Sequence, residues 1–119
     1  MMKQLSPCPS SPNCVSTQAQ NQEHGIAPFR YQNNLAEAKA ALKAIVLSFP
    51  RTTLVEEEEA YLHVEVTSLL LRFVDDVEFV FDDNSKTVQF RSASRTGYSD
   101  LGVNRRRMEE IRALAQGKL

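Results

Sequence analysis

The spacing of apolar residues along this chain switches once from helical to strand-like and once back, and that order outlines an α+β fold. Leu35, Ala38, Leu42, Ile45, Val46 and Phe49 recur at helical intervals, which predicts an amphipathic helix over 35–48. Asn34 stands where an N-cap belongs, and Glu37 three positions on completes a capping-box pattern. Pro50 stops the helix. The period then falls to two. Thr52–Val55 starts a strand, and the acidic run Glu56–Glu59 reads as a solvated turn. In Tyr61–Thr67, Leu62, Val64 and Val66 share one face, and Tyr61, His63 and Glu65 the other. Ser68–Val74 reads as an apolar connection or a short strand, and Val77–Asp82 as a strand with Val77, Phe79 and Phe81 on one face. A turn at Asp82–Ser85 leads into a strand over Thr87–Ser94 with Val88 and Phe90 inward. A last helix is predicted from Val103 to Gln116, with Met108, Ile111, Leu114 and Ala115 towards the core and Gly117 as its stop.

Residues 1–34 show no apolar period, and Pro7, Pro9, Pro12 and Pro28 exclude a long helix there. The expectation is an extended N-terminal arm pinned by Cys8, Val15, Ile26 and Phe29; the alternative is a disordered tail. Residues 35–119 then form a single two-layer α+β domain: an antiparallel sheet of about four strands with two helices on one face.

Composition adds limits rather than identity. At 119 residues the chain suffices for one core. No apolar run is long enough to span a bilayer, and the start lacks the apolar stretch of a secretory leader, so a cytoplasmic location is expected. The net charge of −1 gives no global case for nucleic acid or an acidic membrane. The charge is unevenly placed, however. Residues 51–90 carry 3 positive and 10 negative side chains, and residues 91–119 carry 7 and 3. Internal pairing is the first explanation and an anionic partner the second. Cys8 and Cys14 are spaced to close a small disulfide ring, which a reducing cytosol would keep open. Their spacing is not that of a zinc knuckle or a thioredoxin motif, and no cofactor or metal motif stands elsewhere.

The candidate chemistry concentrates in residues 91–107, which hold five arginines and three serines. Alternation places Ser92 and Ser94 on the inward face, where their hydroxyls need partners. No nucleophile-elbow motif surrounds them. Arg91 falls on the opposite face with His63, Glu65 and Glu78, as cross-strand ion pairs or as a site; His63 needs a partner to act as a base. Arg105, Arg106 and Arg107 begin a helix, where each exposed cation opposes the helix dipole by roughly 0.3–1 kcal/mol. Something negative should compensate. Asp75, Asp76 and Asp100 are internal candidates, with Glu109 and Glu110 a turn on; a bound carboxylate or phosphate, joined by Arg95 and Tyr98, is the external one. Asp75 and Asp76 point opposite ways if they lie in a strand, and pairing with the arginines is their simplest role.

Three stretches resemble the signature segments of a known family: CPSSPNCVST at 8–17, FVDDVEF at 73–79 and RSASRTGYSDLGVNRRRMEEIR at 91–112. They are similar to the domain of unknown function family 1499, from Cys8 to about Leu114. The resemblance implies that Cys8, Pro12, Asn13, Cys14, Asp75, Asp76, Arg91, Ser92, Ser94, Arg95, Gly97, Ser99, Asp100, Asn104 and Arg105 belong to a shared pattern. It further implies bacterial and plant chloroplast relatives, some with a membrane or export segment ahead of the domain, and no established activity. Absence of such a segment here leaves the redox state of Cys8 and Cys14 open.

Three function classes follow. The first is a binding module for a small anionic molecule or an acidic protein partner, using Arg91, Ser92, Ser94, Arg95, Tyr98, Asp100, Asn104 and Arg105. The second is a structural or protein-interaction domain in which this segment is a fold-stabilising Arg–Asp–Ser network. The third is an enzyme using His63 or the Cys8/Cys14 pair, for which no nucleophile–base or metal motif is present. Nucleic-acid binding is weaker than all three, because the basic segment is short and the rest of the chain acidic. Oligomeric state is not legible.

Overall fold

The computed structural model describes residues 3–119; the first two residues of the arm lie outside the described part. Strands β1 (Cys14–Ser16) and β2 (Phe29–Arg30) precede helix α1 (Leu35–Leu47). Then come β3 (Thr52–Glu58), β4 (Tyr61–Thr67), β5 (Val74–Asp82), β6 (Thr87–Ser94) and helix α2 (Val103–Ala115). The sheet runs β1-β6-β5-β4-β3, with β2 also paired to β6, and every ladder is antiparallel.

The α+β class and the two helices agree with the pattern, but the sheet has six strands rather than about four. The two added strands come from the arm: Val15 lies opposite Ser92, and Phe29 opposite Val88. Strands of two and three residues contain too little sequence to display a period.

One face of the sheet carries Leu62, Val64, Val77, Phe79, Phe81, Val88 and Phe90, all buried. They pack in one cluster with Ala38, Leu42 and Val46 of α1 and with Met108, Ile111 and Ala115 of α2. Leu114, expected in this core, is exposed, and Leu119 at the end of the chain is buried in the cluster instead. At the start of α1 the Glu37 N–H donates to Asn34 Oδ1 at 2.8 Å, and Asn34 Nδ2 donates to Glu37 Oε1 at 2.6 Å.

The acidic run departs from its expected turn. Glu56–Glu58 continue β3, and only Glu59 and Ala60 turn. A bulge between Leu54 and Glu56 resets the alternation. Glu57 then faces α1, where its carboxylate lies 2.9 Å from Lys43 Nζ and 3.2 Å from Lys39 Nζ. Glu56 and Glu58 face the other way, each about 3 Å from Lys3 Nζ at 3.0 and 3.1 Å. Three adjacent carboxylates are tolerable in this edge strand because lysines reach them from both sides.

The arm does more than lengthen the sheet. Residues 3–8 run across the face opposite the helices: Lys3 sits over the Tyr61 ring, and Arg91 Nη2 donates to the Pro7 carbonyl at 3.3 Å. Tyr61, Val80 and Ala93 belong to that face and are buried. Cys8 and Cys14 are joined as a disulfide. On the far side, Arg112 of α2 donates to the carbonyls of Ala27 and Pro28 and covers the Phe29 ring.

Candidate functional site

The polar residues of the last strand and helix divide into an interior network, a cluster on the arm-side face, and a group of cations and apolar side chains at one end of the sheet.

The interior network centres on Asn104, which is fully buried at the start of α2. Its Oδ1 accepts from Ser92 Oγ at 2.6 Å and from Arg107 Nη1 at 2.8 Å. Its Nδ2 donates to Asp100 Oδ2 at 2.7 Å, Ser94 Oγ at 3.0 Å and the Asn13 carbonyl at 3.2 Å. Arg107 Nη1 also reaches Ser92 Oγ at 3.1 Å, and its Nη2 donates to Asp75 Oδ2 at 2.7 Å. Asn13 Nδ2 donates to the Gly97 carbonyl at 2.7 Å. Arm, β5, β6 and α2 are thus tied at one point, and each inward hydroxyl has its partner.

Asp100 serves the helix start rather than the arginines. Its carboxylate accepts the backbone N–H of Asn104 at 2.9 Å and of Gly102 at 2.8 Å. Gly102 holds φ +81°, a left-handed turn that brings the chain into α2 at little steric cost. Burial pushes the Asp100 carboxyl up, but the Asn104 backbone and side-chain donors and the Gly102 N–H outweigh it, and the net pKa lies below the usual aspartate value. A depressed carboxylate contributes stability above its unfolded pKa of about 3.9 and loses it as pH falls through the folded value. Asp100→Ala is therefore expected to cost about 1–2 kcal/mol at neutral pH, with the gap to the parent narrowing below about pH 4. Urea unfolding across that range checks it; a gap independent of pH would contradict the assignment.

On the arm-side face, Asp76 accepts from Arg95 Nε at 2.7 Å and from Arg95 Nη2 at 2.9 Å, and lies 2.8 Å from His63 Nε2. Arg95 also reaches Glu65 at 2.5 Å, and the Tyr61 hydroxyl donates to Glu78 at 2.5 Å. The Arg95 guanidinium, then the His63 contact, hold Asp76 below its ordinary pKa against its partial burial. Burial, then Glu78, pushes the Tyr61 phenol up. His63 thus has a carboxylate partner, Asp76, and no serine or cysteine bonded to it among the described residues. Arg95 is 46% exposed, so this cross-strand pairing is worth little to stability.

Asp75 and Asp76 lie in β5 and point to opposite faces, each to its own arginine. The eight residues expected to bind a ligand are therefore distributed. Ser92, Ser94, Asp100 and Asn104 belong to the interior network. Arg91 and Arg95 lie on the arm-side face. Tyr98 is exposed in the loop before α2, and Arg105 donates to the carbonyls of Gln22 and Glu23. Asn13, Asp75 and Arg107 join the network without having been among those eight. Arg107 was detectable: it follows Asn104 by three positions, so one helix face presents both.

The end of the sheet where β4 passes to β5 and β6 leaves for α2 is built differently. Thr67 lies opposite Val74, and Asp75 opposite Ser94, so loops 68–73 and 95–102 emerge side by side. They expose Leu69, Leu70, Leu71, Phe73, Tyr98 and Leu101, with Val103 at the first position of α2. Around them stand Arg51, Arg72, Arg105 and Arg106, none in an ion pair among the described residues. Among the described residues no group of three or more His, Cys, Asp or Glu side chains is placed to hold a metal, and no helix is long and apolar enough to cross a membrane.

These features define a small α+β domain whose N-terminal arm joins the sheet, with Ser92, Ser94, Asp100 and Asn104 turned inward and Arg91, Arg95, Tyr98 and Arg105 turned elsewhere. The chain belongs to the family described as protein of unknown function (DUF1499), whose sequence profile matches residues 4–114. Neither curated proteins nor solved structures provide a match.

Proposed function

We propose that this domain is an interaction module that docks on an anionic partner through the sheet end bearing loops 68–73 and 95–102. The observation that carries this reading is the pairing at that end of exposed apolar side chains with arginines lacking carboxylate partners. The opposite end holds Glu58, Glu59, Asp82 and Asp83 around the other two hairpin turns, and there Lys3 pairs with Glu58 and Lys86 with Asp83. A net charge of −1 therefore conceals a basic, apolar end, while lysines offset part of the acid at the other.

In this reading Ser92, Ser94, Asp100, Asn104 and Arg107 hold the fold, and Arg105 and Tyr98 contribute to contact. The saturation of the interior network by its own members supports that division. The Cys8–Cys14 ring suits an oxidising compartment better than the reducing cytosol expected from the sequence.

Retention on a sulfonate cation-exchange resin at neutral pH and low ionic strength tests the reading. The parent is expected to be retained despite its net negative charge, and Arg72→Glu/Arg106→Glu to pass through. A parent that passes through would contradict a one-ended basic surface.

A further inference from the structure

Resting on that reading, we infer that the anionic partner is a lipid bilayer surface, with the Leu69–Leu71 loop entering the interface and the surrounding arginines meeting anionic headgroups. Leu69, Leu70 and Leu71 are 63%, 87% and 70% exposed, and Phe73 follows on the same loop. Three consecutive exposed leucines are costly to a soluble surface unless something covers them. Nothing in the fold's own packing requires them there, since none of the three belongs to the core cluster.

The loop is held rather than loose. The Ser68 N–H donates to the Phe73 carbonyl at 2.8 Å, and the Phe73 N–H donates to Ser68 Oγ at 2.9 Å. Arg72 takes a left-handed φ of +57°, and the closed loop keeps the leucines outward. The two bonds close the loop at its base, where Ser68 meets Phe73.

Charge complementarity selects the bilayer over other covers. Arg72 lies between Leu71 and Phe73, so a cation is interleaved with the apolar tip instead of rimming it at a distance. Arg51 and Arg106 stand at the same end, on the turn before β3 and in the first turn of α2. Tyr98, amphipathic and exposed, is the residue type that settles at headgroup level. At the other end Lys3 and Lys86 are paired with Glu58 and Asp83, so anionic lipid favours the end whose arginines have no ion pair among the described residues. Two adjoining apolar tips, one with Arg72 interleaved, form a shape that a fluid interface accommodates without a complementary groove.

The test is co-sedimentation of the disulfide-intact full chain with sucrose-loaded vesicles, of phosphatidylcholine alone or mixed with phosphatidylglycerol. The parent is expected to pellet with the mixed vesicles, much less with the neutral ones, and to be released by salt. Leu70→Ser/Leu71→Ser should weaken binding about tenfold or more, and Arg72→Glu should weaken it too, with melting temperatures like the parent's because these side chains are exposed. No sedimentation with mixed vesicles, or sedimentation insensitive to both variants, overturns the inference. Retention on the sulfonate resin without vesicle binding overturns the bilayer assignment while leaving the anionic-partner reading standing; loss of both overturns both. Self-association of the parent abolished by Leu70→Ser/Leu71→Ser, without vesicle binding, would make a second copy of this chain the cover and also overturn the bilayer.

Discussion

Asn104→Ala is expected to lower the unfolding free energy by about 3 kcal/mol, a large share of the 5–15 kcal/mol typical of a domain this size. The side chain has no exposed surface. Its loss leaves the Ser92 hydroxyl without its acceptor, takes one of the two acceptors of Arg107 Nη1, and removes the donor that joins Asp100, Ser94 and the Asn13 carbonyl. Water cannot readily replace these partners in a packed interior, so several groups bear desolvation with reduced compensation. The urea midpoint is the readout. A loss under about 1 kcal/mol would mean that the network is not a fold determinant.

Arg107→Ala is expected to be at least as damaging, by about 3–5 kcal/mol, because it strands a buried carboxylate. The Asp75 and Arg107 side chains are 12% and 11% exposed and lie 2.7 Å apart. The ion pair itself need not add net stability, since both charges were taken out of water to form it. What matters is the asymmetry: one partner removed costs far more than both. Asp75→Asn in the Arg107→Ala background should recover a measurable part of the loss, and a double-mutant cycle reads the coupling. Simple additivity of the two changes would contradict the pairing.

The parts of this fold legible in the sequence are those with enough residues to show a period. α1, α2, β4 and β6 show theirs, and the inward direction of Ser92 and Ser94 follows from Val88 and Phe90 by alternation alone. β1 and β2 are too short to show one, and their pairing depends on a partner strand more than fifty residues away. Glu56–Glu58 look like a turn because their counter-charges, Lys3, Lys39 and Lys43, come from remote segments. The candidate site was only half visible for the same reason. Density of donors in residues 91–107 marked the segment, but which arginine points inward depends on the helix phase and on Asp75 in β5. The exposed Leu69–Leu71 run looked like an apolar connection, since sequence alone does not separate a buried connection from a displayed one.

The central claim is a division of labour: inward signature residues hold the fold, and the basic apolar end makes contact. Its most direct test measures urea midpoint and sulfonate-resin retention together on Asn104→Ala and on Arg72→Glu/Arg106→Glu. The expected result is a crossing, in which Asn104→Ala lowers the midpoint and is retained like the parent, while the arginine variant keeps the midpoint and loses retention. If Asn104→Ala keeps its midpoint and loses retention, the inward segment is itself the binding site and the division fails.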